Sequence, residues 1–178
     1  MFPLAGSYDR LLVAGTINSL PTQVIPRRGT KRRLAPAELR AWRAFMLASV
    51  LVARALDRDL QRQADLTLAE HHLLAIINEA DPQGIRPTDL QLLSTLTKSG
   101  LTRAVDRLEA LGLIASRVCP TDGRGQLLVL TSRGRQKLRR SAPDFFRSVA
   151  RHFADHLTER ETETLTNALG RVAAADRV

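Results

Sequence analysis

Leu96-Thr97-Lys98-Ser99-Gly100-Leu101-Thr102-Arg103-Ala104-Val105-Asp106-Arg107-Leu108-Glu109-Ala110-Leu111-Gly112 runs on from Leu113 to Gly134 as LIASRVCPTDGRGQLLVLTSRG. Its first half has helical spacing. Leu101, Ala104, Val105 and Leu108 stand at i, i+3, i+4 and i+7, the pattern of one buried helix face. Thr97 stands at the N-cap position, where a hydroxyl accepts from first-turn N–H groups. Lys98, Ser99, Thr102, Arg103, Asp106 and Arg107 are left on the outer face, which is rich in donors and cations and holds one carboxylate. Gly112 suits the C′ position that closes a helix. Beyond it the period changes. Ile114–Val118 and Leu127–Thr131 are short β-prone runs joined by the turn-rich tip Thr121-Asp122-Gly123-Arg124-Gly125. A polar-faced helix followed by a basic hairpin is the layout of a winged helix-turn-helix.

The ordered set carries a resemblance. Leu101 to Glu109, then Gly112-Leu113-Ile114, Asp122-Gly123-Arg124, Leu130-Thr131 and Gly134 resemble the MarR family of bacterial winged-helix regulators. The resemblance spans roughly Leu39 to Gly170 and leaves the start of the chain unexplained. It implies a homodimer on double-stranded DNA, one subunit per half of a pseudo-palindrome, with the terminal helices as dimer interface. By family habit it implies repression, relieved by a small aromatic or phenolic effector bound between the two lobes. Asp122 and Arg124 fall on the family's wing pair. Gly123 stands where the family often carries another cation, which implies a looser wing.

The chain has 178 residues, enough for one domain with a sizeable core, and aromatics are only 4%, so that core is aliphatic. A net charge of +9 and a pI of about 11.2 point to a polyanionic partner. The 1 cysteine excludes an internal disulfide and a Cys-rich zinc cage, and fits a reducing, cytoplasmic setting. No run approaches the ~20 apolar residues of a membrane span. Met1 to Arg10 lacks the cationic head and apolar run of a signal peptide.

Four regions follow. Residues 1–33 form an extension ending in the cationic run Arg27-Arg28-Gly29-Thr30-Lys31-Arg32-Arg33, either a solvated linker or an arm on phosphates or in a minor groove. Residues 34–66 read as one long helix opened by Pro36, with a stripe through Leu39, Trp42, Met46, Val50, Ala53, Leu56 and Leu60. Phe45, Leu47, Leu51 and Val52 widen that stripe, so the helix needs partners on more than one side. Residues 67–134 hold the winged helix-turn-helix: a helix over Leu68–Glu79 with Thr67 as cap, a turn at Asp81-Pro82-Gln83-Gly84, a short helix from Pro87, then the opening stretch. Residues 135–178 complete the helical lobe, with a kink or break at Ala142-Pro143 and a last helix started by the capping box Thr158 to Glu161. The expected fold class is mainly α with a small β-hairpin wing and an all-helical dimerisation lobe.

The candidate DNA face is Lys98, Ser99, Gly100, Thr102, Arg103 and Arg107 on the helix, with Arg117, Asp122 and Arg124 on the wing. Arginine pairs bidentately with guanine, and serine or threonine suits phosphate oxygens or mixed base contacts. Gly100 either permits close approach to DNA or has no such role. Arg124 would enter a narrow minor groove, with Asp122 holding its guanidinium. Arg117 and Arg133 are phosphate contacts or plain surface. Asp106 is expected to pair with Arg103 or Arg107. Trp42, Phe45, Met46, His71 and His72 lie on the two helices that would line an effector pocket; the other reading of them is core. A histidine pair there could also sense pH.

Catalytic motifs are scarce. Glu70-His71-His72 is not the His-Glu-x-x-His of zinc peptidases. His152 and His156, one turn apart beside Asp155, have a spacing that can bind a metal but no third ligand. Cys119 is either an inert thiol or a redox trigger. No cofactor is expected. Beside the regulator stand two alternatives: a nonspecific DNA-architectural protein, and a metal-dependent hydrolase using His152 and His156.

Overall fold

The computed structural model describes residues 33–80, 83–119 and 122–175, without the side chains of residues 119 and 122–124. In chain order the elements are α1 (Pro36–Ala64), α2 (Leu68–Ala80), α3 (Pro87–Leu93) and α4 (Lys98–Ala110). The hairpin β1 (Ile114–Cys119) and β2 (Asp122–Leu130) follows, then α5 (Ser132–His152), a single 3-10 turn (Ala154–His156) and α6 (Glu159–Ala175). The cationic run up to Arg32 lies outside the described residues.

The helix starts follow local chemistry. Pro36 opens α1, and the Glu38 carboxylate accepts the Ala35 N–H at 2.9 Å. Thr67 and Glu70 cap each other at α2: Glu70 N–H donates to Thr67 Oγ1 at 3.1 Å, and Thr67 N–H donates to Glu70 Oε2 at 2.8 Å. Thr158 and Glu161 repeat the device before α6.

The main core lies beneath the wing. Leu73, Leu74 and Ile77 of α2, Leu90 of α3, Leu101 and Leu108 of α4, and Leu128 and Leu130 of β2 are buried together. The hairpin is antiparallel, pairing Ile114 with Leu130 and Val118 with Gln126. A bulge after Val118 then pairs Cys119 with Asp122, so β2 starts inside the segment read from sequence as a tip. Ile85 joins the hairpin through two bonds to Leu128, of 3.0 and 2.8 Å. A smaller cluster of Leu56, Leu60 and Phe145 joins α1 to α5.

The expected break at Ala142-Pro143 is corrected. The helix α5 runs unbroken through Pro143. Proline there leaves the Arg139 carbonyl without its i+4 donor. Arg139 and Pro143 are both exposed, so the turn that lacks this bond lies on the solvent face of the helix. Much of the apolar stripe of α1 is uncovered within the single chain. Trp42, Phe45, Met46, Leu47, Val50 and Leu51 stand in the open, as do Phe146, Phe153, Leu169 and Val172 on the C-terminal elements. Hardly any of α6 touches the rest of the described chain.

Candidate nucleic-acid interface

The interface is built on α4. Leu101 and Leu108 anchor its inner face in the core, with Ala104 and Val105 packed against it. Thr97 caps it, its Oγ1 accepting the Gly100 N–H at 3.2 Å. A Cβ on Gly100 would sit 3.2 Å from that same oxygen, so the glycine keeps the cap uncrowded. Lys98, Ser99, Thr102 and Arg103 all emerge, exposed, from the first two turns. Thr102 Oγ1 donates back to the Lys98 carbonyl at 3.1 Å, and Ser99 Oγ lies 3.4 Å from Thr97 Oγ1. The result is a short, donor-rich helix end with free N–H groups and one apolar flank fixed in place, a shape that suits entry into a major groove.

The wing is tied to this helix from both strands. Ser116 Oγ on β1 donates to Glu109 Oε1 at 2.7 Å. After β2, Thr131 Oγ1 donates to the Gly112 carbonyl at 2.7 Å and accepts the Gly134 N–H at 3.0 Å. One hydroxyl therefore joins the end of α4, the hairpin base and the start of α5. Gly112 takes φ +65, the left-handed conformation expected of it. The Arg133 guanidinium lies over Gly112, at the negative end of the α4 dipole. Arg117 is exposed on β1. Asp122 and Arg124 belong to β2 by backbone, and their side chains lie outside those described, as does the Cys119 thiol.

Arg107 departs from the expected picture. Its Nε donates to Glu70 Oε1 at 2.8 Å, and its guanidinium lies 3.5 Å from Asp65 Oδ1. It pairs with these two residues of the α1–α2 corner rather than with Asp106. Sequence spacing pointed to partners on the same helix, and the true partners come from another part of the chain.

Within the single chain, the five residues of the expected effector pocket do not line one cavity. Trp42, Phe45 and Met46 are exposed on the free half of α1. His71 is buried, stacked on Phe145 with ring centroids 4.5 Å apart. Burial, and secondarily the neighbouring His72, push its imidazole down to about 4. It therefore stays neutral at physiological pH, and the expected histidine pH sensor loses this member. Burial lowers His72 as well. Of the five candidates only His72 lines a cavity of about 210 Å³, which is formed by Ala69, Leu73 and Ile76 of α2 and by the turn Leu93–Leu96. That turn leads directly into the Thr97 cap.

His152 and His156 differ in their surroundings. His152 Nε2 lies 3.0 Å from Asp59 Oδ2, across the α1–α5 contact, and His156 is exposed in the 3-10 turn. Asp59 is buried, and it also accepts from Ser148 Oγ at 2.6 Å and from Arg62. His152 thus has a structural partner that sequence spacing did not reveal, 93 positions away.

The MarR family profile matches residues 64–125. Among solved structures, the chain is similar to Sco3205 of Streptomyces coelicolor, a MarR family transcriptional regulator in complex with DNA. Identity is 33%, with 85% of this chain and 94% of that one covered and a TM-score of 0.78. It is similar to AbsC of the same organism, also a MarR family transcriptional regulator, at 32% identity, 83% and 99% coverage and a TM-score of 0.74. The reduced form of MarR from E. coli matches at 26% identity, 79% and 98% coverage and a TM-score of 0.63. No curated protein sequence matches at a comparable level.

Proposed function

Since the chain belongs to the MarR family of DNA-binding transcriptional regulators, we propose that it is a homodimeric repressor of a pseudo-palindromic operator, released by a small-molecule effector. The observation that carries the reading is α4, a capped helix that offers Lys98, Ser99, Thr102 and Arg103 on one face while Leu101 and Leu108 hold the other in the core. Arg103 reads base edges; Lys98, Ser99 and Thr102 bond phosphates or base edges near the helix start. Arg117 and the wing pair Asp122 and Arg124 extend the grip to the flanking backbone and minor groove.

The open apolar faces of α1 and α6 support the dimer, because a second copy would remove them from water. Two α4 helices would then lie about one helical turn of DNA apart, ~10 base pairs between half-site centres. An aromatic or phenolic effector suits the cavity beside His72, whose walls are mostly apolar. It would act on the Leu93–Leu96 turn, and it shifts binding only if it prefers one position of that turn.

Selection of bound duplexes from a random pool tests the reading, and it should return a two-fold symmetric site. On that site Arg103→Ala should relax the sequence preference, and Arg124→Ala should weaken binding by about 1–3 kcal/mol. Parent-like binding by both variants would overturn the assigned face. Equal affinity for selected and bulk DNA would favour a nonspecific architectural protein instead.

A further inference from the structure

We infer that Arg107 is a positioning residue: through the buried carboxylate of Glu70 it braces α4 against the α1–α2 corner and so sets the angle at which α4 meets DNA. This rests on the reading of α4 as the recognition helix.

Glu70 is shared between two tasks. Its Oε2 accepts the Thr67 N–H at 2.8 Å and holds the start of α2. Its Oε1 accepts from Arg107 Nε at 2.8 Å and holds α4. The corner is itself anchored to α1, because the first N–H of α2, from Leu68, donates to Asp57 Oδ1 at 2.8 Å. Asp65, which ends α1 in the left-handed conformation at φ 44, supplies the second and longer contact to the Arg107 guanidinium. A polar path therefore runs from Asp57 on α1, through the adjacent Leu68 and Thr67 N–H groups and Glu70, to Arg107 on α4.

Burial says which way Arg107 faces. The Glu70 side chain is 5% exposed and that of Arg107 49%. An arginine that turned away to a phosphate would leave a carboxylate buried without its cation, the costly half of breaking such a pair. A phosphate contact therefore competes with a partner that Arg107 already has. The apolar packing of α4 on α2 is non-directional, whereas a charge-assisted bond to one fixed oxygen is directional. Arg107 is also nine residues past Lys98, about 14 Å along the axis from the end that enters the groove. Its place suits a brace at the back of the helix.

The test uses a selected operator and three variants of the full chain: Glu70→Gln, Arg107→Gln and the double variant. Glutamine keeps one carbonyl oxygen, enough for the Thr67 cap, and turns its amide to the guanidinium. Each single variant should bind about tenfold more weakly, within the usual range of coupling between sites. The double variant should be no weaker than either single one. The slope of log affinity against log salt should stay at the parent value. Inserting one base pair between half-sites should also cost the variants less than the parent, since a loosened helix tolerates altered spacing. The inference is overturned if Arg107→Gln lowers the salt slope by about one while Glu70→Gln binds as well as the parent. It is also overturned if the single variants keep the parent's affinity and spacing penalty. Should Glu70→Gln fail to fold, the salt slope and spacing penalty of Arg107→Gln decide alone. Arg103→Ala run alongside separates the two readings: if it too is parent-like, the DNA face itself is wrong.

Discussion

Asp59 keeps its charge between α1 and α5 because donors converge on it. The Ser148 hydroxyl, ahead of His152 and Arg62, holds its carboxyl below the usual carboxylate range, against the opposing cost of burial. A carboxyl whose folded pKa lies below its unfolded value stabilises the fold at pH above the unfolded value, about 3.9. That contribution is lost as pH falls through the lower folded value. Ser148→Ala should therefore cost about 2 kcal/mol at pH 7, for a buried charge that loses a donor. The gap between variant and parent should persist to pH 4 and close only as pH falls through the lowered folded value, where Asp59 takes up its proton. Urea denaturation at pH 7 and pH 4 checks this, and a gap absent at pH 7 or already lost at pH 4 would contradict the assignment. Residues such as Asp59 and Glu70 look like ordinary surface carboxylates on an amphipathic helix. What makes them otherwise is a partner brought from a distant part of the chain, as with Ser148 and His152 for Asp59 or Arg107 for Glu70.

At the scale of elements, the joint between wing and α5 is the tightest fit. Gly134 follows the Thr131 cap on the first turn of α5, and a Cβ there would run into the Leu113 carbonyl backbone. Backbone cannot swing aside as a side-chain tip can. Gly134→Ala should therefore destabilise the protein by about 3 kcal/mol or more, in the class of overpacked core changes. A melting temperature within a degree or two of the parent would show that the joint yields. The Thr131-to-Gly134 pattern was legible in the sequence as part of a family signature. Its physical reason, one hydroxyl bonding two segments while a glycine lets them touch, appears only with coordinates. The hairpin was legible too, but its bulge and the bridge from Ile85 were not, since a single isolated bridge leaves no periodicity.

For the molecule as a whole, the open apolar faces of α1 and α6 carry the argument. Leu47 is 62% exposed and Val172 63%. In the proposed dimer these faces close on one another. Leu47→Glu places a charge on such a face without touching the core of the subunit. It should leave helical content unchanged, shift sedimentation to that of a monomer, and weaken operator binding at least about a hundredfold, since two linked half-sites gain that much by avidity. A variant that stays dimeric would place the subunit contact elsewhere.

Periodicity, caps and punctuation are local, so the sequence alone determined the helix order, the N-caps at Thr67, Thr97 and Thr158, the closing glycine Gly112, the hairpin and the polar face of α4. Each depends on neighbours within a few positions. The tertiary structure alone decided which polar side chains of that face are free and which are already bonded, that Trp42, Phe45 and Met46 do not meet His71 and His72 in one pocket, and that His152 answers Asp59 rather than His156. Those outcomes depend on distances between segments far apart in the chain, and an ion pair between two helices leaves no mark in the spacing of either.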